Sequence, residues 1–183
     1  MLKQVPVAEA LDHKFPEWLV FVVTHDPAGR DDLMPAGWAM CCSAQPPMLA
    51  VALGAGRHSL ALIQRTREFG IGFAGPEQVQ TLTFSGSCSG RDVDKFAALG
   101  LATQPGAVTS VPLLVGCTLF FECRLAGALP AGDHVVVTGE IAAAHRADPP
   151  LANLVNFGGW YSPAGPLWPP QATATRRPLA ADS

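Results

Sequence analysis

Charge is scarce in this chain. Only 15% of its 183 residues are charged, against 49% hydrophobic, and the formal net charge is −3. No cluster of Lys or Arg occurs, so nothing in the sequence argues for nucleic acid as a partner. A surface this lean in charge predicts that apolar area is covered by a second subunit, most simply in a homodimer. Long hydrophobic runs are missing too. The run Trp18 to Thr24 has the length of a strand and falls far short of the ~20 apolar residues needed to cross a bilayer, so no membrane role is expected. The opening MLKQVPVAEALDHKF has no apolar core of the kind that directs secretion, and a cytoplasmic location is expected. The five cysteines, at 41, 42, 88, 117 and 123, are odd in number and show no CxxC spacing. They are expected to be buried free thiols, with no metal site.

Two catalytic signatures are also lacking. His58 and Ser59 are adjacent and no GxSxG elbow is present, which argues against a hydrolase triad. The loop GAGRHS lacks the third glycine and the following acidic residue of a dinucleotide-binding fingerprint. There is no internal repeat. The length suits one domain over residues 1–170, with a loosely held tail of Pro, Ala, Thr and Arg from about Gln171 to Ser183.

What the chain does have is concentrated between Met34 and Ser59, MPAGWAMCCSAQPPMLAVALGAGRHS. This stretch reads as a strand within Ala36 to Ala44, a stop at Gln45-Pro46-Pro47, and a buried strand from Met48 to Leu53. A glycine turn then leads to a helix over Leu60 to Phe69. The start of a helix exposes free amides and a partial positive charge, and Arg57 adds a full one, so an anion such as a phosphate is favoured there. Ser59 reads equally well as a helix cap or as a hydroxyl directed at that anion.

Elsewhere, Val5 to Lys14 is weakly helical and Trp18 to Thr24 is a strand, followed by a His25–Asp32 loop. Gly70 to Ala74 returns to the sheet, and Pro76 opens a second helix. Ser85 to Arg91 reads as a flexible polar loop ahead of a short helix through Phe96. Leu113 to Leu125 and Val135 to Ala143 are long strands joined by a connection over Ala126 to His134. Leu151 to Phe157 is a last apolar segment, and Gly158-Gly159 a mobile one. Many strands against two or three short helices indicate a mainly β barrel with helical inserts rather than a parallel βαβ sheet.

The runs GWAMCCSAQPP, GRHS, SGRDVDKF at 89–96 and GDH at 132–134, in this order, resemble the flavin reductase-like family, which includes flavoredoxin. The likeness extends to about Tyr161. It implies an FMN-binding split β-barrel. It also implies that Trp38 lies near the isoalloxazine ring, that Lys95 reaches FMN, and that His134 stands close to the flavin as the catalytic group. The strand Trp38, Ala39, Met40, Cys41, Cys42 and Ser43 would run along the ring edge, with Arg57, Ser59 and Lys95 holding the phosphate and His58 among the cofactor-binding residues. Family members often carry asparagine where this chain has Asp32, and an ionised carboxylate cannot donate to a flavin oxygen as an amide can. The activity implied is hydride transfer from NADH or NADPH to FMN, with a monooxygenase or redox protein as possible recipient. Two alternatives stay open: an FMN-holding electron carrier, and a non-catalytic flavin-binding module.

Overall fold

The computed structural model describes residues 1–163, so the boundary expected near Gln171 lies outside the described residues. A short helix α1 (Val7–Leu11) precedes strands β1 (Glu17–Trp18), β2 (Val20–Thr24), β3 (Asp32–Ala36), β4 (Ala39–Ala44) and β5 (Pro47–Gly54). Then come α2 (His58–Thr66), β6 (Glu68–Phe73), a 3-10 turn at Pro76–Gln78, α3 (Val79–Ser87) and α4 (Lys95–Leu99). The remaining strands are β7 (Thr103–Gln104), β8 (Leu113–Leu114), β9 (Leu119–Ala131), β10 (His134–Arg146), β11 (Leu154–Asn156) and β12 (Tyr161–Pro163). Among the described residues no helix is long and apolar enough to cross a membrane.

Seven strands form one antiparallel sheet in the order β3-β2-β6-β9-β10-β5-β4. Its two edges, β3 and β4, are neighbours in sequence, separated only by Gly37 and Trp38. A chain can step from one edge to the other in two residues only if the sheet has curled until the edges meet. They meet without pairing, which is the split β-barrel expected from the sequence.

Side-chain alternation divides the core in two. Val20 and Val22 of β2 pack with Leu49, Val51, Leu60, Ile63 and Phe69 inside the curl. Phe21 and Val23 face the other way, onto Leu33, Leu82, Val111 and Phe120. A strand buried on both faces has no polar alternation to show, so β2 reads as a continuous apolar run. Helix α2 closes the barrel with Leu60 and Ile63. It stops where Arg67 turns left-handed (φ 64), donating its amide to Ile63 O at 2.8 Å. Leu125 N on β9 then binds Arg67 O at 2.8 Å and draws the chain into β6.

Several expected boundaries shift for tertiary reasons. The helix expected to reach Phe69 ends at Thr66, because Phe69 belongs to β6 and to the barrel interior. The expected loop Ser85–Arg91 is helical through Ser87. Trp18 and Val20 fall in different sheets. The connection expected over Ala126–His134 is almost all strand, since β9 and β10 stay paired out to Ala131 and His134. Only Gly132 and Asp133 turn the hairpin, and Gly132 supplies the positive φ (64) that such a two-residue turn needs at its first position. Cys117 and Cys123 are buried thiols, and burial pushes each up to about 12. Cys41 and Cys42 correct the expectation of burial: they are exposed, because β4 is an edge strand backed only by β5.

Candidate functional site

The turn between β5 and α2 points its residues toward the loop that precedes α4. Gly54 O accepts from Arg57 N at 3.0 Å, so Arg57 becomes the extended residue before the helix and its side chain is left exposed. Gly56 leaves open space beside it, with no heavy atom within 4 Å of where a Cβ would stand. Opposite, the 89–94 loop is wound on Ser89, whose carbonyl accepts from Asp92 N (3.1 Å) and Val93 N (3.0 Å). Asp94 caps α4 by accepting from Ala97 N at 2.9 Å. Arg91 ties the two sides together, donating to Gly56 O at 3.2 Å.

Between them lies a cleft of about 330 Å³ lined by Arg57, His58, Ser59, Lys95 and Arg91, with Ser87, Ser89 and Gly90 along its wall. The three residues expected to hold a phosphate, Arg57, Ser59 and Lys95, thus share one cavity with His58. At its floor is Asp32. It is 1% exposed, accepts from Ser59 Oγ at 2.7 Å, and lies 2.9 Å from Lys95 Nζ. Ser59 is therefore not the helix cap, and its hydroxyl proton is directed to a carboxylate.

A second cleft of about 270 Å³ adjoins the first through Met34, Pro35 and Arg57, which line both. Its far end holds Trp38, His134, Glu17 and Asn156. The rings of Trp38 and His134 lie 4.9 Å apart, inclined at 41°. His134 Nδ1 is 2.7 Å from Asp133 Oδ1, and that contact holds the exposed Asp133 carboxyl below its ordinary value. The Lys14 ammonium stands 5.5 Å from the Trp38 ring.

The strand residues divide. Ala39 and Met40 line a third recess, of about 250 Å³, behind Trp38. Cys41, Cys42 and Ser43 line none of these three clefts and sit beside a bulge on the free edge. Arg91, Ser87, Ser89 and Gly90 belong to the first cleft yet were not singled out from sequence. Ser89, Gly90 and Arg91 open the SGRDVDKF run that carries the family resemblance, and that run, read for Lys95 alone, was the signal that could have found them.

Guanidinium and hydroxyl groups gather in the first cleft, and in the second a half-exposed indole lies against an imidazole. The flavin reductase like domain family matches residues 13–165. The chain is 29% identical over 142 residues to an FMN reductase (NADH) of Stutzerimonas stutzeri, covering 76% of this chain and 77% of that one. It is 32% identical over 141 residues to an uncharacterized protein of Aeropyrum pernix, covering 76% of this chain but only 54% of that relative's length. The fold superposes on flavoredoxin of Desulfovibrio vulgaris with a TM-score of 0.78 at 25% identity, covering 94% and 99% of the two chains.

Proposed function

The chain belongs to the flavin reductase-like domain family, and from that premise we propose that it binds FMN along the joined clefts and reduces it with NADH or NADPH. The observation that carries this reading is that Met34, Pro35 and Arg57 line both clefts, so that a cationic, hydroxyl-rich end adjoins the Trp38–His134 end. Arg57 and Arg91 would hold the phosphate, with the Ser89 hydroxyl beside them. Trp38 and His134 would receive the flavin head. FMN, when bound, supplies the hydride-accepting chemistry, and the protein supplies position and electrostatics. With Nδ1–H donated to Asp133, His134 Nε2 accepts a hydrogen bond when the ring is neutral and donates one when it is protonated. A nicotinamide would approach the ring end beside Gly37 and Ala52, which line that cleft. The reading includes a homodimer, supported by the exposed face that carries Trp38 and Met40 (51% and 64% exposed) beside the free edge of β4. A partner oxygenase or redox protein would consume the reduced flavin.

The likeness to flavoredoxin supports a second reading, in which the FMN stays bound and passes electrons to a protein partner. An anaerobic visible spectrum separates the two. As a reductase, the FMN-loaded protein bleaches within seconds of adding NADH or NADPH and turns over added free FMN. Bleaching by dithionite but by neither nucleotide would leave the carrier.

A further inference from the structure

The cleft that gathers cations also contains a buried acid. Asp32 opens β3, and its side chain meets two groups expected to hold a phosphate. Oδ2 accepts the Ser59 hydroxyl at 2.7 Å, and Oδ1 lies 2.9 Å from Lys95 Nζ. Lys95 also donates to Leu33 O at 2.7 Å. Lys95 is 2% exposed and Ser59 is 1% exposed, so neither reaches out to solvent. Gly90 packs directly on the carboxylate, where any Cβ would overlap Oδ1, and so the loop backbone closes over the acid. Apart from the ionic contact with Lys95, Oδ1 has no aligned hydrogen bond among the described residues.

An ammonium has three donors and a serine hydroxyl has one. Leu33 O takes one of the Lys95 donors, Asp32 neutralises the ammonium through its ionic contact, and Asp32 takes the single proton of Ser59. The innermost charge of the cleft is thereby cancelled, and the guanidiniums left for an anion are Arg57 and Arg91 at its rim. From this arrangement we infer that Asp32 is a specificity-determining residue: it withholds Lys95 and Ser59 from the phosphate and sets FMN affinity low enough for the flavin to exchange. The inference rests on the flavin reading of the site.

The physics gives it a distinctive signature. Asp32→Asn keeps the shape but removes a negative charge from a low-dielectric cleft, so an incoming phosphate meets Lys95 without a competitor. The same change leaves Lys95 buried without its counter-ion until an anion arrives. The flavin-free variant should therefore melt lower than wild type while binding FMN more tightly. A merely structural acid would lower both.

The test is titration of wild type, Asp32→Asn and the double variant Asp32→Asn/Lys95→Met with FMN and with riboflavin, read by quenching of flavin fluorescence. Thermal melts with and without FMN accompany it. The expected result is FMN affinity in Asp32→Asn higher on the order of tenfold or more. Riboflavin should change little in either variant, and the double variant should bind FMN about as wild type does. If Asp32→Asn proves unfolded, the double variant decides, because it buries no charge at either position. A tenfold loss of FMN affinity in the double variant would mean that Lys95 already serves the phosphate in wild type, and would overturn the inference. So would an Asp32→Asn protein that folds and binds FMN no better. Wild type that binds neither flavin would instead remove the flavin reading itself.

Discussion

Replacing Glu122 by Gln tests how the side of the barrel away from the clefts is held. Glu122 lies on β9 with no exposed surface. Its carboxylate accepts from the amides of Ala107 (2.8 Å), Val108 (3.1 Å) and Thr109 (2.8 Å), from Thr109 Oγ1 (2.7 Å) and from His145 Nε2 (2.7 Å). Burial pushes this carboxyl up, but the hydrogen bonds from Thr109, His145, Ala107 and Val108 together outweigh it and hold it at about 2, against an ordinary 4.5. At about 1.4 kcal/mol per pH unit, that displacement corresponds to about 3 kcal/mol of stability. Because the folded value lies below the unfolded one, the contribution is complete above about pH 4.5 and is lost as pH falls toward 2. Glutamine keeps the volume but offers an NH₂ where the loop needs an acceptor. Urea denaturation at matched flavin loading should find E122Q less stable than wild type by about 3 kcal/mol at pH 7, and by only about 1 kcal/mol at pH 3. A gap that is the same at both pH values, or below about 1 kcal/mol at pH 7, would refute the view that the ionised carboxylate organises the 107–109 loop.

Arg57→Ala should narrow the preference for FMN over riboflavin on the order of tenfold, since it removes a charge-assisted contact with the phosphate alone; parallel fluorescence titrations check it, and an unchanged ratio would place the phosphate elsewhere. His134→Ala should slow flavin bleaching by NADH or NADPH in stopped flow on the order of tenfold or more while changing FMN affinity much less, and an equal loss of both would make the histidine a binding group only. Light scattering at micromolar protein should report a dimer that Met40→Glu weakens toward monomer, because the substitution puts a charge on the exposed β4 edge; a wild-type monomer at every concentration would remove the proposed interface.

The short-range features of this protein were legible in its sequence. The stop read at Gln45-Pro46-Pro47 falls where β4 turns into β5, with Gln45 and Pro46 between the strands and Pro47 opening the second, since proline gives no amide to a ladder. The step from Gly54 through Gly56 into α2, with Arg57 left exposed at its start, belongs to the same class. So does the mainly β architecture, which follows from apolar runs of strand length. What the sequence could not show is which residues come to share a space. Ser59 and Lys95 were expected at one phosphate and Asp32 stood out as a departure from asparagine, but that the three meet within 3 Å as a buried trio is decided by the closure of the sheet. Closure also moved boundaries. Phe69 looked like the end of a helix until the barrel claimed it as core, and Ala126 to Ala131 looked like a loop until thirteen-residue partners extended the ladder through it. The exposure of Cys41 and Cys42 was decided in the same way, by an edge that is defined only once seven strands have taken their order. Local propensity depends on a few neighbours along the chain, whereas burial and charge pairing depend on contacts between residues dozens of positions apart.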